Sequence, residues 1–252
     1  MFSLKAPAKI NLSLEVLGKR PDGYHNIKSV VQTIGLTDEL EFSYADRLDI
    51  KADVTGWVVE KSLISRAASL LRNRYEVESG ARIRVKKRIP LVSGLGGDSS
   101  CAAMTLKGLN RLWGLGLGMG QLMEIAAELG SDVPFFFHGG TALIEGRGEI
   151  VSPLAAFPPY WVVILVPRFV TDDENKTGRL YARLKPADFS DGSRTEEFAE
   201  ALIEGRQALE PFLGKTFEEK AFAAWPELET LNKRLLDAGA LQVHLSGAGP
   251  AL

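Results

Sequence analysis

Pro90-Leu91-Val92-Ser93-Gly94-Leu95-Gly96-Gly97-Asp98-Ser99-Ser100 is the stretch on which the fold of this 252-residue chain turns. Before it, Ala81-Arg82-Ile83-Arg84-Val85-Lys86 alternates apolar and basic residues, the period-two pattern of a strand with one buried face. After it, Ala102, Ala103, Leu106, Leu109, Leu112 and Trp113 recur at three- and four-residue spacing, which predicts a helix stopped by Gly114. The glycine-rich stretch is therefore a loop that feeds a helix N-terminus.

Such an N-terminus carries unpaired N–H groups and the positive end of the helix dipole, so it attracts anions without a basic side chain. Glycines let the backbone bring those N–H groups close to phosphate oxygens. Ser99 and Ser100 add hydroxyls suited to a phosphate oxygen or to Mg²⁺. No Gly-Lys-Ser/Thr follows, so this is not a Walker A loop, and Ser99 stands where a dinucleotide fingerprint has its third glycine. The plain alternative is a glycine-rich turn with a serine N-cap. The succession of strand, glycine loop, paired serines and alanine-rich helix favours a polyphosphate site.

Working outward, Lys9, Asn11, Ser13 and Glu15 alternate with Ile10, Leu12, Leu14 and Val16, as in a strand with one apolar and one polar face. Gly18 to Gly23 holds strong turn chemistry, and Tyr24-His25 open the next strand. Val30 to Asp53 is strand-like, with a hairpin expected around Leu36 to Phe42, and Lys61 to Tyr75 is helical. Gln121 to Leu129 predicts a second helix closed by Gly130. Ser131-Asp132-Val133-Pro134 then starts another helix, with Asp132 at its N-terminus, where simple capping would explain it. Gly139 to Leu154 reads as strand, turn and return strand. Pro158-Pro159 marks the expected domain boundary, so that residues 1–157 form one domain and 158–252 a second, opened by a buried strand from Tyr160 to Val166. Asp172 to Asp191 is expected to be loop-rich, Glu196 to Leu213 and Leu228 to Ala238 helical, and Gln242 to Leu245 a strand.

Composition narrows the classes. A net charge of -2 argues against a dedicated nucleic-acid binder, and Lys86-Lys87-Arg88 reads as a solvated strand end. The single cysteine, Cys101, allows no internal disulfide and suits a reducing compartment. Met1 to Pro7 lacks a continuous apolar region, and Tyr160 to Val166 is far short of the ~20 residues that span a bilayer. A soluble, cytoplasmic protein that works without a membrane is expected, as monomer or homodimer. His25, His138 and His244 show no metal-ligand spacing with the cysteine.

Taken together, Pro7-Ala8-Lys9-Ile10-Asn11-Leu12, the glycine loop, and Leu245-Ser246-Gly247-Ala248-Gly249-Pro250 resemble the three-motif pattern of the GHMP kinases. Pro21 to His25, Leu109 to Trp113, Gly130 to Phe136 and Gly146 to Glu149 are similar to one branch of that superfamily. That branch phosphorylates the 2-hydroxyl of 4-diphosphocytidyl-2-C-methyl-D-erythritol in non-mevalonate isoprenoid synthesis. The resemblance is dense from Pro7 to about Leu154 and thin beyond.

The resemblance implies an α+β, two-domain GHMP kinase fold, with an N-terminal domain like ribosomal protein S5 domain 2 and a ferredoxin-like C-terminal domain. It implies ATP and Mg²⁺ as cofactors and a cytidine diphosphate methylerythritol substrate. By it, Asp132 is the general base and Lys9 its charge partner beside the transferred phosphoryl group. The loop from Pro90 to Ser100 becomes the nucleotide cradle, steadied by the third motif, and Asn11 joins the substrate site. Tyr24 and His25 hold the cytidine, with Thr177 and Tyr181 matching a threonine and an aromatic four residues apart that line the same pocket. Two departures stand out: Asp98 replaces a glycine common in the family, and Cys101 an aspartate or asparagine. Relatives also continue past the third motif, so the second domain is expected to be shortened, completed by a partner chain or less active. Alternatives are another GHMP kinase acting on a mevalonate-type or sugar substrate, or a non-catalytic nucleotide-binding homologue.

Overall fold

The computed structural model describes residues 1–55, 57–167, 176–206 and 209–252. Strands and helices are mixed along the chain, and two compact units interleave in sequence. The first comprises Met1–Lys9, Thr33–Pro90 and Gly96–Gly139; the second comprises Ile10–Gln32, Leu91–Leu95 and Gly140–Leu252. The strands β1 (Phe2–Asn11) and β3 (His25–Ala45) each contribute to both units.

In the first unit, the second half of β3 pairs antiparallel with β5 (Gly80–Lys86), from Glu39 opposite Lys86 to Ala45 opposite Gly80. The short β4 (Asp49–Ala52) runs parallel on the other edge of β5. Alternation sends Leu40, Phe42, Ile83 and Val85 inward, where α1 (Leu63–Arg74) and α2 (Gly97–Trp113) cover them with Ile64, Ala67, Leu71, Leu106 and Leu109. Helix α1 begins where the Ser62 side chain accepts the Ser65 N–H, and α2 stops at Gly114 with φ of 65°. A Cβ on Gly108 would lie 2.4 Å from the ring of Phe42, so only glycine lets α2 approach that ring. The unit closes with α3 (Met119–Leu129) and the four-residue α4 (Phe135–His138).

Two expectations change here. Leu36 to Phe42 is no hairpin, because β3 runs through it unbroken. Asp38 turns inward and is fully buried, its carboxylate satisfied by N–H groups from the end of β5. Asp132 does not head a helix of useful length: residues 131–134 form turns and α4 follows only at Phe135. A single helical turn sums few peptide dipoles, so the positive partner of Asp132 must be a side chain.

In the second unit, β2 (Ser13–Lys19) and the start of β3 form a hairpin, with Glu15 opposite Lys28 and Lys19 opposite His25. Farther along β3, Ser29 to Gln32 pairs with β6 (Thr141–Glu145), which pairs with β7 (Ile150–Pro153). The core here is Leu12, Val30 and Leu209 against Phe198, Ala201 and Leu202 of α6 (Ser193–Ile203). Before it comes α5 (Lys176–Tyr181); after it come β8 (Gly214–Lys215), α7 (Glu218–Ala224) and α8 (Pro226–Asp237). The helix expected to reach Leu213 ends at Ile203, where Gly205 takes φ of 69°.

Tyr160 to Val166 is not a buried strand. Trp161 is wholly exposed, Val163 nearly so, and Leu165 and Leu252 exchange a reciprocal pair of backbone hydrogen bonds, both 2.9 Å. Gln242 to Leu245 likewise forms no strand, since the Leu245 N–H donates to the Glu218 carboxylate and the Ser246 N–H to Ala251 O. Local partners there replace a ladder. Of the segment from Asp172 to Asp191, residues 172–175 lie outside the described residues.

Candidate active site

The polar face of the first strands is buried rather than solvated. Lys9, Asn11, Ser13 and Glu15 are each less than a tenth exposed, and burying that much polarity costs stability unless each group has a partner. Ser13, Glu15 and Asn11 have theirs in the second unit: Ser13 Oγ takes the Val30 N–H, Glu15 the Thr195 N–H, and Asn11 Nδ2 donates to Ser29 Oγ at 2.9 Å. Lys9 belongs to the first unit.

There the Lys9 ammonium lies 3.3 Å from the Asp132 carboxylate, with Lys9 nearly enclosed and Asp132 about half exposed. Its methylenes run beneath the glycine loop: a Cβ on Gly96 would lie 2.9 Å from Lys9 Cγ and 2.9 Å from Phe136 Cζ. Gly96 also takes φ of 71° as it caps α2, a conformation that disfavours side chains. Loop glycine, lysine and aspartate thus converge on one spot at the start of a 17-residue helix. The first amides of that helix, the Lys9 ammonium beside them and the half-exposed Asp132 carboxylate together suit an anionic ligand.

The loop residues fit a nucleotide polyphosphate. Gly96 and Gly97 leave no room for a side chain, and Ser100 Oγ is fully buried with no hydrogen-bond partner among the described residues. An orphaned hydroxyl in the first turn of a helix is suited to a ligand oxygen. Asp98 does not face that spot: its carboxylate accepts the Leu63 N–H at 3.3 Å and so caps α1. Surrounding protein raises the Asp98 carboxyl above its usual range, against the pull of Leu63 N–H, Lys87 and Arg66, although the residue as a whole is exposed.

The earlier part of the loop belongs to the second unit, where the third motif braces it. Ser246 Oγ donates to Gly94 O at 3.2 Å, the Ala251 N–H donates to Ser93 O, and a Cβ on Gly94 would collide with Ser246 O at 2.4 Å. Val92 takes φ of 52°, strained for a β-branched residue, and its carbonyl accepts a hydrogen bond from Lys176.

The second unit also gathers aromatic rings. His25 lies 5.0 Å from Tyr181 and 6.0 Å from Phe189 between ring centroids, and Tyr181 meets Phe217 edge-on at 4.5 Å. Tyr24 is half exposed, with the Arg147 guanidinium 5.0 Å over its ring. Burial, and then Lys19, lowers the His25 pKa, which favours the neutral imidazole. Thr177 is exposed one helical turn before Tyr181 on α5. Phe189, Phe217 and Arg147 were not singled out from sequence; only Arg147 had a signal, inside Gly146-Arg147-Gly148-Glu149.

Residues 62–140, which hold the loop and Asp132, match the model of the GHMP kinases N terminal domain. Over 252 residues the chain is 48% identical to a 4-diphosphocytidyl-2-C-methyl-D-erythritol kinase of Dehalococcoides mccartyi, covering 100% of this chain and 88% of the relative. The chain belongs to the 4-diphosphocytidyl-2-C-methyl-D-erythritol kinase family. A crystal structure of 4-(cytidine 5'-diphospho)-2C-methyl-D-erythritol kinase matches with a TM-score of 0.82 at 34% identity, covering 99% of this chain and 88% of that one. A Streptococcus pneumoniae phosphomevalonate kinase solved with phosphomevalonate and AMPPNP shares the fold, with a TM-score of 0.71 at 15% identity and coverage of 99% and 89%. Membership in the family makes this protein a small-molecule kinase that uses ATP, with the α+β GHMP kinase fold. Among the described residues no helix is long and apolar enough to cross a membrane.

Proposed function

We propose that this kinase phosphorylates the 2-hydroxyl of 4-diphosphocytidyl-2-C-methyl-D-erythritol. Asp132 takes the hydroxyl proton as that oxygen bonds to the γ-phosphorus of ATP. The bond from the γ-phosphorus to the β,γ-bridging oxygen breaks, and ADP leaves with the bonding pair. Lys9 offsets the negative charge on the transferring group, and the amides of Gly96 to Ser99 hold the phosphate oxygens, the Ser100 N–H being taken by Gly96 O. The rest of the loop, Pro90 to Leu95, orients the nucleotide. Ser99 and Ser100 offer the hydroxyls that would hold Mg²⁺, which would supply neutralisation of the polyphosphate charge. Tyr24, His25, Thr177 and Tyr181 bind the cytidine end and Asn11 the methylerythritol end. We further propose a cytoplasmic location.

The observation that carries this reading is Lys9, lodged against Gly96 by its methylenes and 3.3 Å from Asp132 by its ammonium. One residue thereby joins the phosphate loop to the proton acceptor. The aromatic cluster at His25 favours the cytidine substrate over a mevalonate-type one, because rings can stack on a pyrimidine. A coupled ADP-release assay separates the two. Turnover with the diphosphocytidyl alcohol but not with mevalonate, lost in Asp132→Ala, is expected; turnover with mevalonate alone contradicts the substrate, and none with either contradicts the reaction.

A further inference from the structure

Asp38 lies in the first unit, outside the groups assigned to the reaction, and it is fully buried. A buried carboxylate is costly unless its oxygens are filled, and here they are. Oδ1 accepts the N–H groups of Arg88 at 2.6 Å and Ile89 at 2.9 Å; Oδ2 accepts the Lys87 ammonium at 2.5 Å and the Cys101 thiol at 3.3 Å. Three of these donors come from the segment joining β5 to the glycine loop, and the fourth from α2. The same segment is the floor on which α2 begins: a Cβ on Gly97 would lie 2.9 Å from Ile89 Cγ2 and 3.4 Å from Lys87 Nζ.

From these contacts we infer that Asp38 is a positioning residue for the phosphate loop. By clamping the Arg88 and Ile89 amides it fixes the Ile89 side chain, on which Gly97 rests, and so fixes where the free amides of α2 point. Ile89 is 1% exposed, so a shift of its backbone has no slack to disappear into. Asp38 is fully buried, so it acts through the loop backbone and not by contact with a ligand. Its effect falls on nucleotide affinity and spares the cytidine end. The buried Cys101 thiol, which burial pushes well above its usual pKa, is one more donor to this carboxylate. This inference rests on the reading of the loop as the ATP site.

The clamp is isolated in a background without buried charge by comparing Asp38→Asn/Lys87→Met with Asp38→Ala/Lys87→Met. Asparagine keeps an oxygen for the two amides and alanine keeps none. The expected result is a KM for MgATP about tenfold higher in the alanine double variant than in the asparagine one, with KM for the cytidine substrate within about twofold. Equal ATP KM values in the two, or parallel rises for both substrates, overturn the inference. Should the alanine variant not fold, Ile89→Ala, which removes the floor and keeps the clamp, must raise KM for ATP selectively; an unchanged value there overturns the inference equally. Wild-type protein that turns over no ATP instead defeats the reading of the loop.

Discussion

Lys9 and Asp132 show how much depends on single side chains. Asp132 is about half exposed and bonds to Lys9 at 3.3 Å, so Asp132→Asn should cost little stability while lowering kcat by about 10²–10⁴-fold. Thermal melting beside steady-state rates checks this; a lowered melting temperature with kcat intact would leave Asp132 a purely structural role. His25 carries a pH prediction. Its folded pKa lies below the ordinary 6.5, so the unfolded state binds more protons between the two values. Stability should therefore be full above 6.5 and fall as pH drops from there through the folded value. In His25→Gln that part of the fall should vanish from the melting temperature measured against pH, and an unchanged profile would contradict the assignment.

At the scale of elements, the junction of β5, glycine loop and α2 was legible because strand period, glycines and helix period each leave their own mark. Elements that depend on remote partners were not. Leu36 to Phe42 read as a hairpin region, and the burial of Asp38 inside an unbroken strand depends on donors far along the chain, the Arg88 and Ile89 amides among them. Tyr160 to Val166 looked buried because it is apolar, but apolarity does not supply ladder partners. Asp98 stands out in sequence as a departure inside the loop, and the Leu63 N–H that its carboxylate accepts has no sequence signal. Two glycines separate function from packing. Gly96→Val should place methyl groups into Lys9 and Phe136 and abolish the rise in melting temperature that a non-hydrolysable ATP analogue gives the wild type, a rise worth about 2.7 kcal/mol at a hundred times Kd. Gly108→Ala should press on Phe42 and destabilise by about 1–3 kcal/mol in denaturant melts, with KM for ATP unchanged.

Across the whole molecule, the two units exchange segments, so residues adjacent in sequence such as Lys9 and Ile10, or Leu95 and Gly96, belong to different units. No linear reading of composition reveals such interleaving, because each unit draws its core from distant stretches. The motifs were nevertheless recognisable. Those near the start and in the loop each contribute residues to both units, and the third, Leu245 to Pro250, packs on Gly94. Full-length similarity to kinases of one family agrees with the motif reading. The most direct test of the central claim is a crystal structure with a non-hydrolysable ATP analogue and the diphosphocytidyl alcohol. Phosphate oxygens at about 2.7–3.2 Å from the amides of Gly96 to Ser99, and the acceptor hydroxyl at a similar distance from Asp132, are predicted. A nucleotide bound elsewhere with those amides empty, or a hydroxyl out of reach of Asp132, would contradict it.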